Sequence, residues 1–222
     1  MINYDGSARD IATLAHELGH AIHSLLANQQ SVLTQQPPLP LAETASVFAE
    51  MQLTDRLLKQ ETDPAVRREL LANALDDAYI NVMRQAYFTI FEIDAHAMIH
   101  DHCSLEDLTD HYLQSLREQF GDAVDVSEEF KWEWIAIPHF YRTPFYTYAY
   151  SFAQLLVLAL YQQYRLEGQS FVPRYLRILS YGGSESPMKI LAEAGLDITS
   201  PAFWQAGFDV LENMLAELSS LS

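Results

Sequence analysis

The chain has 222 residues, with 13 Lys and Arg against 30 Asp and Glu, and therefore a formal net charge of −17. So acidic a chain is not expected to bind nucleic acid or an anionic membrane surface, because both interactions depend on Lys and Arg. Its 49% hydrophobic content argues against intrinsic disorder, and a single cysteine, Cys103, excludes an internal disulfide.

Long stretches without glycine or proline predict a series of helices. The first is expected at Ser7–Ala27, where Ser7 and Asp10 have the spacing of a capping box. The segment 132–144, rich in aromatic residues and proline, is expected to be irregular. Because no series of strands is predicted, the fold class is mainly α, a multi-helix domain. The other helices are expected at about 41–60, 63–100, 104–120, 144–166, 171–179, 187–194 and 201–218.

No segment of the sequence has the pattern of a targeting signal or a membrane anchor. The first residues lack a basic region followed by an apolar run. The most apolar stretch, 152–161, is shorter than the roughly 20 residues that a membrane span requires, and Gln154 interrupts it. Together with the single cysteine, these features lead us to expect a cytoplasmic protein.

The first predicted helix carries the pattern HExxH at residues 16–20. Residues four apart on an α-helix share a face, so His16 and His20 can bind one metal ion together. Glu17 lies about 100° around the helix from His16, beside the metal, where a base acting on water is required. Because short motifs recur by chance, a solvated polar face is the alternative explanation.

Periodicity also predicts how this helix packs. The histidines His16, His20 and His23 fall on one side. Gly19 lies between two of them and costs about 1 kcal/mol relative to alanine inside a helix. Its presence indicates the close approach of another segment or of a substrate, and the alternative is that a packing helix needs the room. An apolar stripe that we expect to face the core runs along the opposite side and consists of Ile11, Leu14, Ala15, Leu18, Ile22 and Leu25.

A catalytic zinc ion usually has three protein ligands and one open position. His23 follows His20 by three residues and could support a metal ligand from behind, but a surface or core histidine is a better interpretation than a ligand. Glu43 opens the second predicted helix among apolar and small residues, where an unpaired carboxylate is costly. Glu50, two turns later on nearly the same face, could orient one of the histidines. For both glutamates an exposed helix carboxylate is the alternative.

Two other groups of residues contain side chains capable of metal binding or catalysis. His96 and His100 are four apart, but no carboxylate occupies the position that Glu17 has in HExxH, so solvated histidines near a helix end are the better interpretation.

The second group lies near the start of the predicted helix at 144–166 and contains His139, Tyr141, Tyr146, Tyr148 and Tyr150. An imidazole or phenol donor aimed at a developing oxyanion can stabilise its negative charge. Tyr148 and His139 are the preferred donors, followed by Tyr146 and Tyr141, and Tyr150 is interpreted as packing. From the residues alone, an aromatic core stripe explains the segment better.

Three motifs occur in an order that resembles a known family: HELGHAIHSLLA at 16–27, LAETASVFAEM at 41–51 and IPHFYRTPFYTYAYSF at 137–152. They resemble the oligoendopeptidase F group of the thimet-oligopeptidase-like zinc peptidases, and 180–201 resembles its C-terminal region. The resemblance covers essentially the whole chain. It implies a mainly α-helical peptidase with one zinc ion, a cleft lined by the HExxH helix, and short peptides as substrates.

Residue by residue, the resemblance implies that His16, His20 and Glu43 bind zinc and that Glu17 is the catalytic glutamate. Zinc would polarise the scissile carbonyl, and Glu17 would take a proton from water and later pass one to the leaving amine. The resemblance also places His139 and the tyrosines that follow it in the region that grips the substrate and stabilises the transition state.

Members of this family are usually longer, with most of the additional chain before the zinc helix. Residues 1–222 are therefore expected to form a C-terminal catalytic domain, and self-association or pairing with an upstream fragment is expected. The alternative is a zinc-binding helical fragment with little activity, because the upstream half of the cleft is absent. A di-iron carboxylate bundle is set aside, since only Glu17 and His20 match its Glu-x-x-His motif.

Overall fold

The computed structural model describes residues 6–221. Residues 1–5 and Ser222 lie outside this range, so the expectation that the first residues form no signal peptide falls outside the described residues. The described part contains helices and no strand, which confirms the mainly α class. The α-helices are α1 (Ala8–Ala27), α2 (Leu39–Ala42), α3 (Ser46–Gln60), α4 (Pro64–Tyr79), α5 (Gln85–His100), α6 (Leu105–Phe120), α7 (His139–Arg142), α8 (Tyr148–Glu167), α9 (Val172–Ser180), α10 (Pro187–Glu193) and α11 (Pro201–Ser220).

The described residues group into two compact units. The first unit consists of the residues up to Ala78 together with those from Phe152 onward, and the second consists of Tyr79–Ser151. In the first unit, α1 packs against α3 and α9. In the second unit, α6 packs against α5 and against a 3₁₀ segment, Glu128–Ala136.

Capping boxes begin two of the helices where the sequence predicts their starts. The Ser7 hydroxyl accepts the Asp10 N–H at 3.1 Å, and the Asp10 carboxylate accepts the Ser7 N–H at 3.0 Å. Ser104 and Asp107 form the same pair at the start of α6. Each cap satisfies N–H groups that have no partner within the helix, a contribution of about 1 kcal/mol.

The second predicted helix is divided in the structure, because a turn at 43–45 separates α2 from α3. Two carbonyls of this turn accept hydrogen bonds from side chains: Ser46 lies 3.1 Å from the Glu43 carbonyl, and Tyr175 donates to the Thr44 carbonyl at 3.0 Å. Glu43 therefore lies in a turn and does not share a continuous helix with Glu50. The prediction of one helix over 41–60 is wrong at this point.

The helix predicted from residue 144 begins only at Tyr148. Phe145 has φ of 59°, in the left-handed region that an α-helix of L-residues does not contain. Its N–H donates to the Glu92 carboxylate at 2.9 Å, and Glu92 is only 2% exposed. A buried acceptor from α5 thus fixes the backbone before α8.

The helix predicted over 63–100 is present as α4 and α5 joined by a π-helical segment, Ile80–Arg84. The Ser151 hydroxyl lies 2.9 Å from the Val82 carbonyl and 3.1 Å from the Asn81 carbonyl, and it donates to this segment. A donor that inserts beside helical carbonyls is a recognised cause of an irregular turn.

α8 passes through the core of the first unit. Its residues Leu156, Val157 and Leu160 are fully buried and pack with Phe48 of α3 and with Phe171. α8 contains the most apolar stretch of the sequence. Even so, no helix in the described range, α8 included, is long and apolar enough to cross a membrane.

α1 packs with the face opposite to the predicted one. Gly19, His23 and Ala27 are buried, whereas Leu18 is 53% and Leu25 75% exposed. The small Gly19 lets α1 approach α3 closely on the side that carries the histidines. Periodicity correctly identifies an amphipathic helix, but it does not state which face has a neighbour, and the predicted burial of the apolar stripe is therefore wrong.

Candidate metal centre

Three side chains of the first unit converge at one point. His16 and His20 lie one turn apart on α1, and their Nε2 atoms are 3.1 Å apart. Oε2 of Glu43, from the turn after α2, lies 3.3 Å from Nε2 of His16 and 3.4 Å from Nε2 of His20. All three side chains are partly exposed, so an ion and a further ligand can reach them.

These distances fit the ligand set of a tetrahedral metal site. Two ligands at about 2.0–2.1 Å from a zinc ion are about 3.3–3.4 Å apart when the geometry is tetrahedral. The three separations in the structure are 3.1, 3.3 and 3.4 Å, two of them equal to this edge length and the third slightly shorter. Two imidazole nitrogens and one carboxylate oxygen are also a donor set that zinc binds in catalytic sites, where a fourth position stays open.

A second carboxylate holds the first histidine. The Glu50 carboxylate contacts Nδ1 of His16, on the opposite side of the ring from Nε2. This hydrogen bond is the largest cause of a raised pKa of His16, and the charges of Glu50, Glu43 and Glu17 add to it while burial opposes it. Such a partner fixes the ring orientation and leaves Nε2 available to a cation. The local negative charge favours the binding of a cation.

His23 is buried behind this group. It is 4% exposed, and its ring lies next to the backbone of Ala42. Burial lowers the pKa of His23 to about 4, so the ring is neutral at pH 7. His23 is therefore a core histidine, which is one of the interpretations that the sequence allows.

Gly19 explains why the glutamate can approach the two histidines. A Cβ atom at this position would lie 2.5 Å from Cα of Ser46 and 2.6 Å from the carbonyl oxygen of Ala45. Both distances are shorter than any tolerated contact, so only glycine permits this approach of the turn to α1. The close approach that the sequence predicts from a glycine inside a helix is observed.

Glu17 is exposed on α1, next to His16 and outside the set of three ligand atoms. Within residues 6–221, His16, His20 and Glu43 are the one set of His, Cys, Asp and Glu side chains close enough to hold a metal ion together. The second histidine pair forms no such group: the His96 ring packs on Phe145, and His100 is almost fully exposed.

The aromatic candidates belong to the second unit, and the structure brings only some of them together. His139 stacks on Tyr146, with ring centroids 5.7 Å apart, and its Nε2 lies 3.2 Å from the Tyr150 hydroxyl. Tyr148, the first residue of α8, is 49% exposed, and Tyr141 is 57% exposed beside Trp134. Tyr150 packs edge-on against His139 and Tyr146, in keeping with its interpretation as packing, and its hydroxyl is also a hydrogen-bond partner of His139.

Comparisons with known proteins agree with the resemblance stated above. A family model described as peptidase family M3 matches residues 1–210. The "Oligoendopeptidase F homolog" of Borreliella burgdorferi is 32% identical, over 100% of this chain and 38% of that protein. The "Oligoendopeptidase F, plasmid" of Lactococcus lactis subsp. cremoris is 34% identical, over 100% of this chain and 37% of that protein.

A solved structure gives the same result for the fold. The crystal structure of oligoendopeptidase-F from Enterococcus faecium matches with a TM-score of 0.83 and 33% identity, covering 96% of this chain and 39% of that chain. The present chain therefore spans well under half of the length of the relatives it matches.

The close approach at Gly19 generates the first prediction. Gly19→Ala should lower the thermal unfolding temperature and weaken zinc binding, because the added methyl group forces the turn at 45–46 away from α1. Helix propensity alone predicts the opposite effect on stability, an increase of about 1 kcal/mol in the free energy of unfolding. Circular dichroism melting and calorimetric zinc titration measure the two effects.

Ser24→Ala, an exposed change on the same helix, is the control and should leave both quantities unchanged. A Gly19→Ala variant as stable as the wild type and with the same zinc affinity would contradict the role of this contact.

Proposed function

The chain belongs to peptidase family M3, and we propose that it forms a zinc-dependent catalytic domain that hydrolyses short peptides. The observation that carries this proposal is the convergence of two imidazole nitrogens and one carboxylate oxygen at 3.1–3.4 Å from one another. The family is one of metallopeptidases, and the relatives bear the name oligoendopeptidase F.

In this proposal His16, His20 and Glu43 hold the zinc ion. Zinc, when bound, polarises the scissile carbonyl and makes a water molecule more acidic. Glu50 fixes the tautomer of His16, because Nδ1–H donates to its carboxylate and Nε2 keeps its lone pair for the metal.

Glu17 is proposed as the general base. It accepts a proton from the attacking water and then delivers a proton to the leaving amine, the usual division of labour when one carboxylate serves both steps. Its place next to His16 and its exposure to solvent support this role, since substrate and water must reach the same carboxylate.

His139, Tyr148, Tyr146 and Tyr141 are proposed as groups that bind the substrate and donate hydrogen bonds to the developing oxyanion. The exposure of Tyr148 and Tyr141 supports their access to a peptide. The contacts of His139 with Tyr146 and Tyr150 restrict the orientation of its ring, and a donor that is held in place in advance stabilises an oxyanion better than a mobile one.

A second candidate function is a zinc-binding helical domain with little activity of its own, which needs further polypeptide to complete the cleft. The exposed apolar face of α1, formed by Leu14, Leu18, Ile22 and Leu25, favours it. A patch of this kind usually marks a contact surface. We therefore propose self-association, or pairing with an upstream fragment, through this face, and a cytoplasmic location in keeping with the single cysteine.

The role of Glu17 is tested by Glu17→Gln. This variant should keep a wild-type zinc stoichiometry and lose about 10²–10⁴-fold in kcat, because the amide cannot accept the proton. Peptide turnover and zinc content are measured on the same preparation. Glu69→Gln, at an exposed position of α4, is the control. A zinc-loaded Glu17→Gln variant with full turnover would eliminate the proposed mechanism.

The role of Glu43 is tested by its effect on zinc affinity. Glu50→Ala removes a partner of His16 and should weaken zinc binding by about 10–100-fold. Glu43→Ala removes a ligand and should weaken zinc binding much more than Glu50→Ala does. Competition titrations against a chelator give both dissociation constants. Equal affinities of the wild type and Glu43→Ala would refute the ligand assignment.

Zinc stoichiometry, solution mass and peptide turnover, all measured on one sample, distinguish the two candidate functions. The second candidate predicts a zinc-loaded chain that associates with itself and cleaves peptides slowly. Leu18→Glu with Leu25→Glu should then reduce the association, because charges replace the exposed apolar side chains. A monomeric wild-type chain with the turnover of a full-length relative would contradict the second candidate.

A further inference from the structure

The turn that carries Glu43 is unusually well buried for irregular backbone. Thr44 and Ser46 are 0% exposed, and Ala45 is 4% exposed. Loops normally lie at the surface, because buried backbone groups outside regular structure need hydrogen-bond partners from elsewhere. The groups that supply these partners therefore determine where Glu43 lies.

Tyr175 of α9 supplies one of them. Its hydroxyl donates to the Thr44 carbonyl at 3.0 Å. Its ring stacks on Phe48 of α3, with centroids 4.3 Å apart, so the ring itself has little freedom. Burial raises the pKa of the Tyr175 hydroxyl far above its usual range, and the hydroxyl stays protonated as a donor. The backbone next to Glu43 is thus tied to a helix 131 residues further along the chain.

Ser46 acts on the carboxylate itself. Its hydroxyl lies 2.7 Å from Oε2 of Glu43 and 3.1 Å from the Glu43 carbonyl oxygen. Oε2 is the same atom that lies 3.3 Å from His16 and 3.4 Å from His20. Because Ser46 is fully buried at the start of α3, its hydroxyl is fixed relative to the helix that also carries Glu50.

We propose that Ser46 and Tyr175 are positioning residues that hold Glu43 in its metal-binding orientation before the metal arrives. Tyr175 fixes the backbone of the turn, and Ser46 fixes the carboxylate. This inference rests on the proposed role of Glu43 as a zinc ligand. Without the two hydroxyls the glutamate is free to adopt other rotamers, and metal binding must then order it.

Cobalt(II) titration of the 222-residue chain tests the inference, because tetrahedral Co²⁺ reports its ligands by visible absorption. Tyr175→Phe removes one hydroxyl and keeps the ring on Phe48. Ser46→Ala removes the other. Tyr161→Phe is the matched control for the first variant, since Tyr161 is also buried and packs on Phe48 but has the charge of Asp55 nearby instead of the turn.

Ser184→Ala is the matched control for the second variant, because the Ser184 hydroxyl donates to a backbone carbonyl away from the metal ligands. We expect about 10–100-fold weaker Co²⁺ binding for Ser46→Ala and for Tyr175→Phe, together with a changed visible spectrum at saturation. Both controls should keep the wild-type affinity and spectrum. Circular dichroism of the metal-free chains verifies that each variant is folded.

Wild-type affinity and spectrum in folded Ser46→Ala and Tyr175→Phe would overturn the inference, as would an equal loss of affinity in the controls, since the hydroxyls would then contribute only to stability. The two variants remove different hydroxyl groups. If only one of them folds, its result still tests the positioning role of the residue that it changes. A wild-type chain that binds no Co²⁺ overturns the metal centre itself, an outcome distinct from a failure of positioning alone.

Discussion

The close contact between the backbone of α1 at Gly19 and the turn at Ala45–Ser46 is the constraint on which the rest of the site depends. A Cβ atom on Gly19 would lie 2.5 Å from Cα of Ser46. Because that atom is absent, the turn reaches α1 between the two histidines, and the Glu43 carboxylate comes within 3.4 Å of both Nε2 atoms. Glycine at position 19 slightly lowers the stability of α1, but it allows the three ligands to converge.

The surroundings of the three ligands restrict their movement from several directions. Glu50 of α3 contacts His16, the buried His23 lies next to the Ala42 backbone, and Tyr175 of α9 donates to the Thr44 carbonyl. One helix that is distant in sequence, α9, thus supports the turn that carries Glu43. A site of this kind needs little reorganisation when a cation binds, and this favours both affinity and a defined geometry.

The local features of the fold follow from the sequence, and the non-local ones do not. Ser7 and Asp10 identify the start of α1, and the spacing of His16 and His20 places them on one face, because both signals act within one or two turns. The break at Glu43 depends on Tyr175, more than a hundred positions away. The late start of α8 depends on the buried carboxylate of Glu92. Neither partner is visible in a local pattern.

A crystal structure of the zinc-loaded chain, with anomalous scattering measured at the zinc edge, tests the central claim most directly. We predict one strong peak about 2.0–2.2 Å from Nε2 of His16, Nε2 of His20 and Oε2 of Glu43, with the turn at 43–46 in place. A peak that excludes Glu43, or no peak between α1 and the turn in zinc-saturated crystals, would contradict the account.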